Sequence, residues 1–428
     1  MKAPDFTPGA FWDRERESVA SPDAALPASV DAAIIGAGYT GLSAAREIAR
    51  AGRSTLVFDQ GPIGGGCSSR NGGQVAFSLK PSRAELTARC GADVAAALYE
   101  EGRAAVSELS ELIAREGLVC DWRRVGGFVG AHTPRHFDRL VRASEAVAVD
   151  TGTRITVIPK NRQCEEIDSP LYHGGVVYHD EYAVQPRKLV DALAARAQAA
   201  GALLSAHCRV DGLQRVADGF ELLTARGRVT ARQVLIATNG YSGALVPWLR
   251  RRVMPIGSYI LATEMLDAEL VRRLIPRARN VGDTRQVVIY LRPSEDGRRI
   301  LFGGRAHAGE TNVERCLPRL RAMLAEVFPV LERVKISNAW MGFVGFTFDR
   351  MPHVGEHDGL FYALGYCGQG IPSATYYGRK VGLRMVGGAG GETALSALDF
   401  PSRWYYQGRP WFLPAAVLGY RLRDQLGL

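Results

Sequence analysis

No two of the seven cysteines, Cys67, Cys90, Cys120, Cys164, Cys208, Cys316 and Cys367, form a CxxC pair, and their number is odd. That pattern excludes a disulfide frame and a zinc-ribbon site, so no metal is expected and the thiols read as those of a reducing cytoplasm. No stretch stays apolar for the length of a membrane span, and the opening MKAPDFTPGAFWDRERESVA lacks the apolar core of a secretion signal. A soluble cytoplasmic protein is the expectation. Internal repeats and low-complexity runs are also missing. Acidic excess is missing too: the formal charge is +9, carried by arginines spread along the chain with a local cluster at Arg250-Arg251-Arg252. Spread charge attracts anions in general and does not make a nucleic-acid groove.

Glycine is plentiful, at 48 of 428 residues. The most informative glycines follow an apolar stretch at 30–35: Gly36-Ala37-Gly38-Tyr39-Thr40-Gly41 leads into a small-residue helix and a second strand at 54–58, which ends in Asp59-Gln60. This is the order a dinucleotide requires. Gly36 permits the sharp turn, Gly38 leaves room for a pyrophosphate, and Gly41 allows helix to pack on strand. The helix start at Thr40 turns its free N–H groups toward the phosphates. Asp59 stands where a carboxylate accepts hydrogen bonds from ribose hydroxyls.

Residues 83–117 and 133–150 have helical spacing of apolar positions, with a strand at 126–130 between them. Pro186 opens a helix through 200. Strands are expected at 210–223 and 229–239, and an antiparallel-looking block fills 253–346. Parallel character returns at 359–364, followed by a glycine turn and a helix. The fold class is therefore α/β, with an α+β substrate part: a Rossmann-like nucleotide-binding domain assembled from separated segments, beside a mixed antiparallel-sheet domain. The expected division is an arm at 1–29, a nucleotide domain at 30–82, 183–245 and 347–390, a substrate domain at 83–182 and 246–346, and a capping segment at 391–428.

Seven blocks occur in order: GAGYTGLSAA, then Cys67-Ser68-Ser69-Arg70-Asn71-Gly72-Gly73-Gln74, ATNGYSG, LRRRVMPIGSYILATE, GDTRQVVIYLRP, ILFGGRAH, and MPHVG followed by GYCGQGIPSATYYG. In these the chain resembles the D-amino-acid oxidase family of FAD-dependent oxidoreductases, and most its gamma-glutamylputrescine oxidase branch, from about Asp31 to Val386. The resemblance implies bound FAD. It makes Gly36, Gly38, Tyr39, Thr40, Gly41, Asp59 and Gln60 contacts of the nucleotide half. Ser68, Ser69, Arg70, Asn71, Gly72 and Gly73 would run beside the flavin, Val210 near the adenine, and Thr238 and Gly240 at a strand end. The second turn, with Gly368, Gln369, Gly370 and Ile371, would present N–H donors to the ring's N1 and C2 carbonyl region. The family's covalent flavin cysteine falls near Gly345, where no thiol stands, so noncovalent FAD is expected.

The reaction implied is hydride removal from an amine-bearing carbon to flavin N5, with the imine then hydrolysed. An alkylamine has a pKa of roughly 10, so the site must favour its neutral form. Tyr259, Tyr366 and Gln369 are the catalytic candidates, and Arg292, Arg305, His307 and Trp340 the substrate-side ones. Gln369 replaces the branch's usual histidine. Neither Val344 nor Pro372 is basic, although the wider family binds a substrate carboxylate near those positions, so a polyamine-type or N-substituted amine is expected, or one whose acid group lies far from the reacting carbon. The strand Ile300-Leu301-Phe302 lacks the lysine that sarcosine oxidases use toward oxygen, which leaves oxygen or another electron acceptor open. An amino-acid dehydrogenase, a nicotinamide enzyme, and a docking role for the aromatic, arginine-bearing C-terminal segment are the alternatives. Neither nucleic acid nor a membrane span is expected, and the oligomeric state is not legible.

Overall fold

The computed structural model describes residues 6–15, 25–77, 79–305 and 312–427. Two large sheets carry the molecule. In the first, Leu203–Ser205, Thr55–Phe58, Ser29–Ile35, Gly227–Ile236 and Leu360–Leu364 run parallel, and Gly219–Thr224 and Val210–Val216 extend the edge as a hairpin. The apolar runs in these strands are buried on both faces, as parallel strands require. On one face lie the first-turn helix, Tyr39–Arg50, and the second-turn helix, Gly370–Met385.

Those two helices touch backbone to backbone. A Cβ on Gly378 would come 2.9 Å from Thr40 Cα, and one on Gly382 would come 2.9 Å from Ala44 Cα. The Gly-x-x-x-Gly spacing therefore sets how closely the helices run. Their N-termini emerge side by side.

The second sheet has nine strands: Thr7–Pro8, Ile336–Phe346, Met254–Thr263, Ile300–Gly304, Ile289–Pro293, Asn280–Asp283, Gly127–Gly130, Gly175–Tyr178 and Ile155–Ile158, in that spatial order. Helix Val313–Val327 covers one face with Leu320, Met323, Leu324 and Val327. The other face is turned toward the nucleotide domain. Two of its pairings are parallel rather than antiparallel, at Thr7–Pro8 with Ile336–Phe346 and at Asn280–Asp283 with Gly127–Gly130.

Four expectations need correction. The stretch 210–223 is two strands, because Ala217-Asp218 makes a tight reversal before Gly219 at φ +137°. The helical stretch 83–117 breaks at Gly91 into Arg83–Cys90 and Ala92–Glu116, the first opened by a Ser82–Glu85 capping box. These helices pack Leu86, Leu98 and Leu109 into the same core as the two turn helices, so the change of domain does not fall at residue 83. The supposed arm is part of the mixed sheet: Thr7–Pro8 pairs with its edge, and Trp12 is 2% exposed.

The C-terminal segment lies across both parts. Phe400 stacks on His353 at 3.9 Å, Tyr406 donates to the Val253 carbonyl at 2.8 Å, and the Asp424 carboxylate accepts from Gln286 and Val287 N–H. No helix among the described residues is long and apolar enough to cross a membrane.

One carboxyl is held in an unusual state. Burial pushes Glu181 up to about 7, opposed by a hydrogen bond from Asn280. Because the folded value lies above the unfolded one near 4.3, stability falls as pH rises from about 4.5 to 7 and is flat beyond. Glu181→Gln removes the titrating group and with it this dependence. Its Tm should exceed that of the wild type at pH 8 by several degrees more than it does at pH 5, as measured by scanning calorimetry.

Candidate cofactor site

Three neighbouring parallel strands end at one crevice, where Ile35 runs into the first glycine turn, Ile236 into Ala237–Gly240, and Leu364 into the second glycine turn. Ligands of open α/β sheets bind outside such carboxyl ends. Gly36, at φ +109°, lies so close to the neighbouring turn that a Cβ would sit 2.6 Å from the Ala237 carbonyl oxygen. A Cβ on Gly41 would overlap the Gly36 carbonyl oxygen. Those two glycines are demanded by the chain itself. Gly38 differs: a Cβ there would meet the hydroxyl of Ser68 alone, at 2.7 Å, so this position borders the crevice.

Both helix starts face it without a side-chain cap, at Gly38 and at Gln369. Ser68 Oγ accepts from Tyr39 N–H at 3.1 Å. The remaining first-turn donors and the dipole suit an anionic pyrophosphate. Beside them, Asp59 takes N–H bonds from Ala37 at 3.1 Å and Gly61 at 3.0 Å, while burial raises its pKa against those two bonds. Gln60 is exposed at the rim. The loop before Val210 packs against this acid, with Cys208 N–H on the Asp59 carbonyl at 2.7 Å.

At the other end the second turn holds Gly365, Cys367 and Gly368 at positive φ, 82°, 52° and 90°. Asn239 Oδ1 accepts from Gly365 N–H at 3.0 Å and so ties the strand end bearing Thr238 and Gly240 to this turn. Gly368 opens toward Val344, and Gln369 and Gly370 remain partly accessible beside it, with Ile371 buried behind.

Between the two turns runs the segment carrying Ser68 to Gly73, and its backbone is fixed from the mixed sheet. The Arg70 carbonyl accepts from Trp340 Nε1 at 2.9 Å, the Asn71 carbonyl from Trp12 Nε1 at 3.0 Å, and the Gly72 carbonyl from Arg292 Nε at 2.8 Å. Val184 N–H takes the fourth, Gly73, at 2.9 Å. Asn71 spends its own amide on the Ser68 and Cys67 carbonyls and on Gly73 N–H. Ser69 is buried on the Gly64 carbonyl. Asn71 and Ser69 therefore shape the segment from within, whereas Ser68 and Arg70 remain at its edge.

Several sequence candidates take other places. Tyr259 is fully buried and turned under helix Val313–Val327, because strand alternation sends it to the face away from the crevice. The tyrosine on the near face is Tyr290, whose ring lies against Gly72 and Gly303 and whose hydroxyl meets Ser258 at 2.8 Å. Tyr366 is bonded to Thr40 Oγ1 at 2.8 Å and 4% exposed, with its pKa raised by burial. It braces one glycine turn against the other rather than facing a substrate. Trp340 and Arg292 are clamps of the backbone segment, with the Arg292 guanidinium also on Glu295 at 2.7 Å. Tyr39 donates inward to the Pro186 carbonyl. Arg305 ends its strand against the Gly257 carbonyl at 3.3 Å, and His307 lies outside the described residues.

Sequence reading missed Trp12, Asn239 and Tyr290. Alternation in QVVIYLRP could have paired Tyr290 with Arg292; nothing local marked Trp12.

Two helix starts without side-chain caps, a half-buried acid at the end of the neighbouring strand and a backbone fixed beside them fit a dinucleotide-binding site. The chain belongs to the DAO family: the family model described as FAD dependent oxidoreductase matches residues 31–382. It is 31% identical to gamma-glutamylputrescine oxidoreductase of Escherichia coli (strain K12), covering 93% of each chain. It is 32% identical to the probable oxidoreductase OrdL of Rhizobium meliloti, covering 92% of each. Among solved structures, glycine oxidase from Geobacillus kaustophilus superposes with a TM-score of 0.72 at 22% identity, over 89% of this chain and all of that one. The protein is an FAD-dependent oxidoreductase, and the nicotinamide alternative falls.

Removing the acid in Asp59→Ala should weaken FAD binding by about 1.5–3 kcal/mol, roughly 10- to 100-fold, read by fluorescence titration of the apoprotein. Trp340→Phe leaves the Arg70 carbonyl without its donor. It should lower thermal stability by about 1–3 kcal/mol and shed flavin on dilution, whereas an exposed tryptophan such as Trp404 changed to Phe should do neither.

Proposed function

We propose that the protein oxidises the carbon–nitrogen bond of an amine, of polyamine type or N-substituted, to an imine that hydrolyses to an aldehyde or ketone. The observation that carries this reading is the absence of a basic side chain at Val344 and Pro372, where Val344 lies against Gly368 of the second turn. Bound FAD supplies the hydride acceptor at its N5. The residues around the turn have the simpler task of excluding water and holding the amine. Desolvation there disfavours the ammonium form and leaves the lone pair needed for hydride departure. Gln369, at the helix start, offers an amide to orient the nitrogen. The name of the Escherichia coli relative supports an amine of the gamma-glutamylputrescine kind.

Noncovalent FAD is favoured by Cys367. Its thiol is buried on Thr347 Oγ1 and the Gly365 carbonyl, and burial raises its pKa, so it stays protonated and unreactive. An acceptor other than oxygen is favoured by the strand Ile300–Gly304, whose Leu301 adds an apolar surface and no cation to the near face of the sheet.

Anaerobic titration of the flavin against polyamines, N-methylated amines and α-amino acids tests the reaction. Bleaching by amines at lower concentration than by any α-amino acid is expected, and the reverse order would refute the reading. On admitting air, reoxidation should take many minutes, and recovery within seconds would establish an oxidase.

A further inference from the structure

The C-terminal segment packs inward through one set of apolar residues and leaves a second set in the open. Helix Leu413–Leu426 turns Leu413, Val417 and the Asp424 carboxylate toward the body of the molecule. Ala415, Leu418 and Leu422, spaced by three and four, share the opposite side and are exposed, the leucines at 58% and 51%. A helix apolar on both sides is one built to be covered on both. Two residues before its start stands Trp411, 66% exposed, whose Nε1 donates to the Tyr405 carbonyl at 3.1 Å. Trp404, 89% exposed, lies edge-on to the Tyr405 ring at 5.7 Å. Two tryptophans thus flank one tyrosine next to the open leucines, and contiguous exposed apolar surface of this kind marks an interaction site.

The charge around it has one sign. Between Asp399 and Asp424 the chain carries Arg403, Arg409, Arg421 and Arg423 and no acid. Asp424 itself is spent on the N–H groups of Gln286 and Val287. The Arg250-Arg251-Arg252 cluster comes to the same place: a Cβ on Gly408 would touch the Arg250 side chain, and Arg252 Nε donates to the Phe400 carbonyl at 2.9 Å. A second copy of the chain docked by a two-fold contact would set these arginines against their equals. A nucleic acid would satisfy the arginines and leave the leucines in water.

We propose that this face docks on an anionic lipid surface, with the tryptophans and leucines entering the boundary between headgroups and acyl chains and the arginines meeting lipid phosphates. Indole rings favour that boundary, being apolar in body and polar at one edge. The 14 residues of the helix are too few to cross a bilayer, so it lies along the surface.

The test uses the full FAD-loaded chain and vesicles of phosphatidylcholine alone or in equal mixture with phosphatidylglycerol. Flotation should show binding to the mixture at least tenfold tighter than to phosphatidylcholine, weakening as salt screens the charges. Trp404→Ser with Trp411→Ser, and separately Leu418→Gln with Leu422→Gln, should each lower that affinity at least tenfold while flavin absorbance and Tm hold. Arg403→Gln with Arg409→Gln should reduce the preference for the anionic mixture. Brominated lipid in the mixture should quench wild-type tryptophan fluorescence, and the tryptophan variant should lose that quenching. Wild-type protein that stays unbound on the anionic vesicles at low salt overturns the proposal. So does binding that salt abolishes and the tryptophan and leucine changes leave intact, since the general charge of +9 would then suffice. A dimer seen in sedimentation and dispersed by the leucine variant would assign the face to a second copy, and tight binding of a single-stranded oligonucleotide lost in the tryptophan variant would assign it to nucleic acid; either result overturns the lipid.

Discussion

Three consecutive carbonyls, at Arg70, Asn71 and Gly72, are each held by a buried side-chain donor from the mixed sheet or its N-terminal edge: Trp340, Trp12 and Arg292. The rest of the site depends on this triple attachment. A backbone segment beside a flat ligand has to be stiff, or the ligand must bear the entropy of ordering it. Each donor is itself nearly inaccessible and satisfied, so losing one strands a polar group in a dry place. The two sheets are thereby coupled through hydrogen bonds as well as through apolar contact.

The same economy explains the two turns. Gly378 and Gly382 let the turn helices approach at Thr40 and Ala44, and the Thr40–Tyr366 bond fixes the distance between their starts. The spacing of the two helix ends at the crevice is thus set in the core, and the two starts move as one rigid unit.

The nucleotide half was legible because its demands are local. Turn, helix, strand and Asp59 follow within some thirty residues, and each glycine has a steric reason that a sequence displays. The substrate side was less so. Tyr259 was chosen from a strand rightly recognised, yet a one-residue parity decides which face a side chain joins, and only pairing across the sheet fixes that parity. Trp340 and Arg292 were picked out as polar or aromatic residues near the ligand, but their hydrogen bonds run to a backbone some 270 and 220 positions away. Trp12 looked like part of a linker because its partner, Asn71, lies in another domain.

Thr7–Pro8 pairs with Ile336–Phe346, so this strand, once made, waits for a neighbour more than three hundred positions downstream. Contacts of such separation form late and slowly. The sheet edge from which Trp12 reaches the Asn71 carbonyl is thus completed only after Ile336–Phe346 has emerged, and the finished backbone there reports that two strands far apart in sequence have found each other.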